Sequence, residues 1–156
     1  MYRISVRKAS ALVIALLLTT ACIHKTGGTV TPWEKVTTYN AALAQANNTL
    51  EQGAESVASS GLATPAQVAP IISVSGQVAT LHLQVTAIIQ QAQTTTVSLA
   101  SVQALVDQIK ASIQSIPPTS LGLKNPKTQQ AFSQDVSSLS TLADAILTSL
   151  QAAGVK

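Results

Sequence analysis

The chain has 156 residues, 46% of them apolar and only 10% charged, with a formal net charge of +3. That excess is local: Arg3, Arg7 and Lys8 stand at the very start, and from Cys22 onward six lysines balance six acidic residues with no arginine. A neutral stretch without guanidinium groups lacks the electrostatic footprint of a nucleic-acid binder and the planar fork that grips phosphate, while its apolar content is too high for a disordered chain.

In chain order, the first element is "MYRISVRKASALVIALLLTTAC". A basic start is followed by an uncharged apolar run from Ala9 to Leu18 and by the small residues Thr19, Thr20 and Ala21. This is the build of a secretory signal. The run falls short of the ~20 apolar residues that a spanning helix needs, which sets the reading of an uncleaved anchor second. Cys22, the only cysteine, closes the segment. An exported chain with one odd thiol calls for a use for it.

Residues 1–22 resemble the lipobox signal of bacterial lipoproteins, in which a small residue precedes the cysteine that becomes the mature N-terminus. Ala21 and Cys22 match the last two positions and Thr20 suits the one before. Thr19 departs from the usual leucine, which stands one place early at Leu18. The resemblance implies a diacylglyceryl group on the Cys22 thiol, cleavage before it by signal peptidase II, and acylation of the new amine. The competing reading is an ordinary signal cut by signal peptidase I, leaving a free thiol. Several acyl chains hold a membrane where one binds only marginally. Ile23, in place of an aspartate, points to the outer membrane, so the expected address is the bacterial cell envelope, facing the periplasm. Residues 1–21 are thus the expected signal and 22–31 a lipidated tether. "IHKTGGTVT" within it has a glycine pair and no hydrophobic period, and extends to at most about 30 Å.

Residues 32–156 amount to one domain. Thr31 with Glu34 forms a capping box, and Pro32 stands where a missing N–H costs nothing. Val36, Tyr39, Leu43, Ala46, Leu50 and Val57 follow at helical spacing, with a stop at Gly61. Thr64, Pro65 and Gln67 start a second helix, which Pro70 should kink or delay. Its seam is Ile71, Val74, Val78, Leu81, Val85, Ile88 and Ala92. "TTT" at 94–96 interrupts it with poor helix formers, and Val102, Leu105, Val106, Ile109, Ile113 and Ile116 form a third face, ended by Pro117-Pro118.

The second and third seams share a heptad phase, so one helix from 65 to 116 is the alternative. It would run about 75 Å beside partners of about 40 Å and leave half its apolar face bare. A reversal near Thr94–Ser98 gives helices of more nearly equal length. Asn125 and Pro126 then open a last helix with Phe132, Val136, Leu139, Leu142, Ala143, Ile146, Leu147 and Leu150 inward, ended by Gly154. The expected fold class is all-α, an antiparallel four-helix bundle, with three helices around one long central helix as the alternative.

Chemistry-bearing residues are few. Glu51 and Glu55 stand one turn apart, but a carboxylate-bridged metal bundle also wants Glu-x-x-His on other helices, and His82 has no such glutamate. The pair reads as a solvated face, with no metal or cofactor implied. His82, between Leu81 and Leu83, needs a nucleophile and an orienting carboxylate to act as a base; the plain reading is a boundary histidine. His24 is a solvated tether residue. Gly27-Gly28 lacks the lysine of a phosphate loop. "NNT" at 47–49 matches a glycosylation acceptor but falls mid-helix. Trp33 and Tyr39 cover the end of the bundle. The expectation is a non-enzymatic, lipid-anchored interaction or structural module. Its partners would be the membrane, through Cys22, and an envelope protein, with self-association favoured by a neutral surface. The alternative is a bundle that opens to hold an apolar small molecule or lipid.

Overall fold

A computed structural model describes residues 29–90, 98–116 and 126–156. Four helices and no strand occur among the described residues: α1 Pro32–Ser59, α2 Pro65–Gln90, α3 Leu99–Gln114 and α4 Pro126–Ala152. They pack in the ring α1–α2–α3–α4–α1, the up-down-up-down course of an antiparallel four-helix bundle. That course gathers the start of α1, the end of α2, the start of α3 and the end of α4 at one end.

Local chemistry sets the helix ends. Thr31 Oγ1 accepts from the Glu34 N–H at 3.2 Å while the Glu34 carboxylate accepts from the Thr31 N–H at 2.9 Å. Thr64 and Gln67 repeat this reciprocal box at the start of α2, with the Thr64 N–H donating to Gln67 Oε1 at 2.7 Å. Two helices stop by the same device. The Leu62 N–H donates to the Val57 carbonyl and the Gly61 N–H to that of Ala58, across Gly61 at φ 71°. At the other end of the chain, the Val155 N–H donates to the Leu150 carbonyl and the Gly154 N–H to that of Gln151, across Gly154 at φ 79°. These are Schellman turns, which need a left-handed residue.

Pro70 does not delay α2, which is helical from Pro65 onward. The carbonyl that the proline leaves without a donor belongs to Ala66, and both residues are exposed. Water can hydrate that group, so one lost helical bond is tolerated near the helix start.

α2 and α3 are separate helices packed on each other, so the continuous 65–116 helix is not formed. Ser98 opens α3, its hydroxyl accepting from the Ser101 N–H at 3.2 Å; Thr94–Thr96, Ala92 and Asn125 lie outside the described residues. The Leu99 N–H donates to the Lys156 carbonyl at 3.1 Å, so the turn after α4 brings the chain back over the first turn of α3. The lengths are less equal than expected. α3 has 16 residues against 26 to 28 in the others, about 24 Å against about 40 Å. In the sequence, Pro117 stands just beyond this element, and a proline disfavours helix in the residue before it.

The core runs at alternating steps of three and four. Val136, Leu139, Ala143, Ile146 and Leu150 line α4; Ile71, Val74, Val78, Leu81, Val85 and Ile88 line α2; Val102, Val106 and Ile109 line α3. This 3.5-residue period is that of helices packed nearly parallel with a small left-handed crossing. Across α3 and α4, Lys110 pairs with Asp144 at 3.0 Å, with both side chains about half exposed, which is worth at most ~1 kcal/mol.

Glycine chemistry provides a two-sided check. Gly61→Ala should destabilise by about 1 kcal/mol, because an L side chain resists positive φ. Gly53 lies inside α1 with open space where a Cβ would stand, so Gly53→Ala should stabilise by about 0.5–1 kcal/mol. Urea unfolding followed by circular dichroism would show midpoints moving in opposite directions; a parallel shift would contradict these helix boundaries.

Candidate functional site

Polar groups of two helices converge inside the bundle along the α1–α2 seam; Gln77 Oε1 and Gln84 Oε1 of α2 are also buried, without a partner among the described residues. The buried face of α1 is Val36, Asn40, Leu43, Asn47, Leu50 and Ala54, so two asparagines occupy alternate core positions seven residues apart. They are only 4% and 5% exposed. Their 4-3-4-3-4 spacing is visible in the sequence. Periodicity scored on apolar residues instead selects Tyr39 and Ala46, which are half-buried and pack against the core from its edge.

Asn40 is fully used. Its Nδ2 donates to Thr86 Oγ1 at 2.9 Å and, less closely, to the His82 carbonyl at 3.4 Å. Thr86 in turn donates its hydroxyl to that carbonyl at 2.8 Å. His82 Nδ1 lies 3.1 Å from Asn40 Oδ1 and 3.3 Å from the Asn40 carbonyl. Both of those atoms only accept, so Nδ1 carries the hydrogen and Nε2 is left as the acceptor in the neutral ring. The imidazole is therefore positioned by an amide rather than by a carboxylate.

Two turns further on, Asn47 Nδ2 donates to the Ser75 carbonyl at 3.2 Å, and the Ser75 hydroxyl donates to Glu51 at 3.2 Å. Asn47 Oδ1 is buried with no partner among the described residues. Moving seven residues along α1, from Asn40 to Asn47, moves the partner seven residues back along α2, from His82 to Ser75. One antiparallel register therefore satisfies both pairs, and a slip of one residue would strand both amides in the core.

Of the other candidates from the sequence, Glu51 accepts from the Ser75 hydroxyl across the seam, and Glu55, one turn further along α1, is exposed. Among the described residues no three His, Cys, Asp or Glu side chains gather as metal ligands. Asn47, the asparagine of the "NNT" triplet, is buried in a helix and bonded across the seam, out of reach of a glycosylating enzyme. Trp33 packs against the core from its edge. Cys22, His24 and Gly27-Gly28 lie outside the described residues.

A different kind of feature occupies the outside of α2. The helix is long and apolar enough to cross a membrane by length and composition, yet one face of it is core and that face bonds to Asn40 and Asn47. Opposite that face, Ala69, Ile72, Gly76, Thr80 and Leu83 are exposed at helical spacing, Leu83 at 66% and Ile72 at 39%. No charged residue occurs anywhere in α2.

Compared with known proteins, the chain matches no family model, no curated protein and no solved structure.

Two measurements follow from this geometry. Asn40→Ala removes an amide whose donors and acceptor are all engaged and leaves His82 and Thr86 short of partners, a loss of about 1–3 kcal/mol on top of the cavity. Asn47→Ala also deletes an unpartnered oxygen, so it should cost about 1 kcal/mol less than Asn40→Ala. Equal losses in urea unfolding would contradict the unequal satisfaction of the two amides.

On α4, burial pushes the Asp135 carboxyl above its ordinary value. The folded state then holds the proton to higher pH than the unfolded one. Stability is greatest below the ordinary aspartate range and falls as pH rises through the raised value. Asp135→Asn should therefore gain stability at pH 7 and gain none well below about pH 4; a gain confined to low pH would reverse the sign and the cause.

Proposed function

We propose that this chain is a lipid-anchored, non-enzymatic helical module of the bacterial cell envelope, held in the outer membrane facing the periplasm and acting through contacts with other envelope proteins. The observation that carries the proposal is "LLLTTAC". A basic start and a short apolar run end on small residues and then on the single cysteine of the chain, Cys22. An amino-acid sequence of that order supplies a secretory signal and a thiol at the cut.

The bundle is consistent with such a role. Its first capped residue, Thr31, stands nine positions after Cys22, which leaves a tether of at most about 30 Å between lipid and domain. The polar groups of the α1–α2 seam are engaged with one another and join helix to helix. His82 takes its orientation from Asn40, with no nucleophile hydrogen-bonded to it among the described residues. A structural use of these groups accounts for each of them except the Asn47 oxygen.

The decisive experiment is Cys22→Ser in the full chain, produced in a bacterial host and fed a labelled fatty acid. The native chain should take up label and float with membranes, and the serine variant should do neither while retaining its helical spectrum. Label and flotation that persist in the serine variant would refute the anchor.

A further inference from the structure

We infer that the outward face of α2 is a membrane-docking surface, which lies on the phospholipid bilayer to which Cys22 is anchored. The inference rests on the anchored reading above and adds an orientation to it: the bundle lies on its side rather than standing on its tether.

Charge distribution singles out this face. Every acidic residue of the chain, and every lysine after Thr31, lies outside α2. Glu34, Lys35, Glu51 and Glu55 are on α1, Asp107 and Lys110 on α3, and Lys127, Asp135 and Asp144 on α4; of these, Glu51 reaches α2 on its α1 flank, where its carboxylate accepts from the Ser75 hydroxyl at 3.2 Å. The outward face of α2 itself thus carries no ion, and there the large apolar side chains Ile72 and Leu83 project into solvent among Ala69, Gly76 and Thr80, while the other exposed large apolar side chain, Leu62, lies in the turn between α1 and α2. Small and hydroxyl side chains enter the headgroup zone at little desolvation cost, and Leu and Ile supply the apolar insertion.

The tether reaches this face. The Asn40–His82 contact puts Leu83 level with a residue nine positions after Thr31, about 14 Å along α1. The Asn47–Ser75 contact puts Ile72 near a level 16 to 20 positions after Thr31, about 24–30 Å along. Nine residues between Cys22 and Thr31 extend to at most about 30 Å, so the acyl chains can enter the same leaflet on which the stripe rests.

Area decides against a second copy as the occupant. A stable protein interface needs about 800 Å² from each partner, and a single helix stripe with two large exposed side chains falls well below that. A bilayer needs no shape-matched partner area. The anchor supplies a high local concentration of surface, so a contact too weak to hold a free protein is populated once the chain is tethered.

The test uses the full lipidated chain in vesicles of phosphatidylethanolamine and phosphatidylglycerol. With the Cys22 sulfur alkylated, cysteines introduced by Leu83→Cys, Ile72→Cys or, on exposed α4, Thr141→Cys are the reactive thiols for an environment-sensitive fluorophore. Probes at 83 and 72 should shift to the blue and be quenched by nitroxide-bearing lipids, and the probe at 141 should do neither. Leu83→Glu, a change at an exposed site, should abolish the quenching at 72 without loss of flotation.

If the protein floats but all three probes stay equally wet, the docking surface is refuted and the anchor stands. Shielding at 72 and 83 without lipid quenching, accompanied by cross-links between copies, would also refute it, in favour of self-association. A chain that does not float, or whose Cys22 takes up the fluorophore, would overturn the anchor and this inference together.

Discussion

The buried amides of α1 constrain everything else in this bundle. An asparagine in a helical core carries a desolvation cost unless its groups are paired, and here two of them, one heptad apart, look across a single seam to α2. Apolar heptads alone tolerate several registers, because a leucine fits many holes about equally well. Polar residues at core positions remove that freedom, as a single asparagine does in coiled coils. His82, Thr86 and Ser75 meet the amides only when α1 and α2 run antiparallel at one offset, and that offset sets the level at which α3 and α4 must close the ring.

The cost of this specificity is visible in the same place. Asn40 has a partner for each of its polar atoms, whereas Asn47 keeps one orphaned oxygen among the described residues. Buried groups of that kind lower stability while leaving the wrong arrangements still less stable. The rest of the molecule offsets it through ordinary means: four apolar faces, two reciprocal capping boxes and two left-handed glycine stops. The surface ion pair between Lys110 and Asp144 contributes little by comparison, since both side chains are about half exposed to water.

Packing also gives the bundle sides that differ. α2 is buried along one face and bonded by α1, so a helix apolar enough to read as a membrane span becomes a core element with an uncharged back. The ions are left to the other three helices. The short α3 makes a second asymmetry, for it flanks only about three-fifths of the length of its neighbours.

Much of this is legible in the amino-acid order, for reasons that are local. Capping boxes at Thr31 and Thr64, the stops at Gly61 and Gly154, the start at Pro126 and the four apolar seams depend on neighbours three or four residues away, and side-chain chemistry at that range is set by the chain itself. The proposed anchor signal up to Cys22 is likewise a matter of local order. Three things depend on contacts between distant segments. Heptad phase runs unbroken from α2 toward α3, and only the packing of the two helices on each other shows them to be separate. Pro70 argues for a later start to α2, and an exposed carbonyl at Ala66 makes the early one tolerable. Asn40 and Asn47 escape any search for apolar periodicity, because an asparagine is costly inside a core until a partner is known, and their partners lie on α2, 28 to 46 residues away. Local sequence therefore determined where helices begin, end and turn apolar, and the tertiary structure decided their register, because only there do buried polar groups meet the atoms that satisfy them.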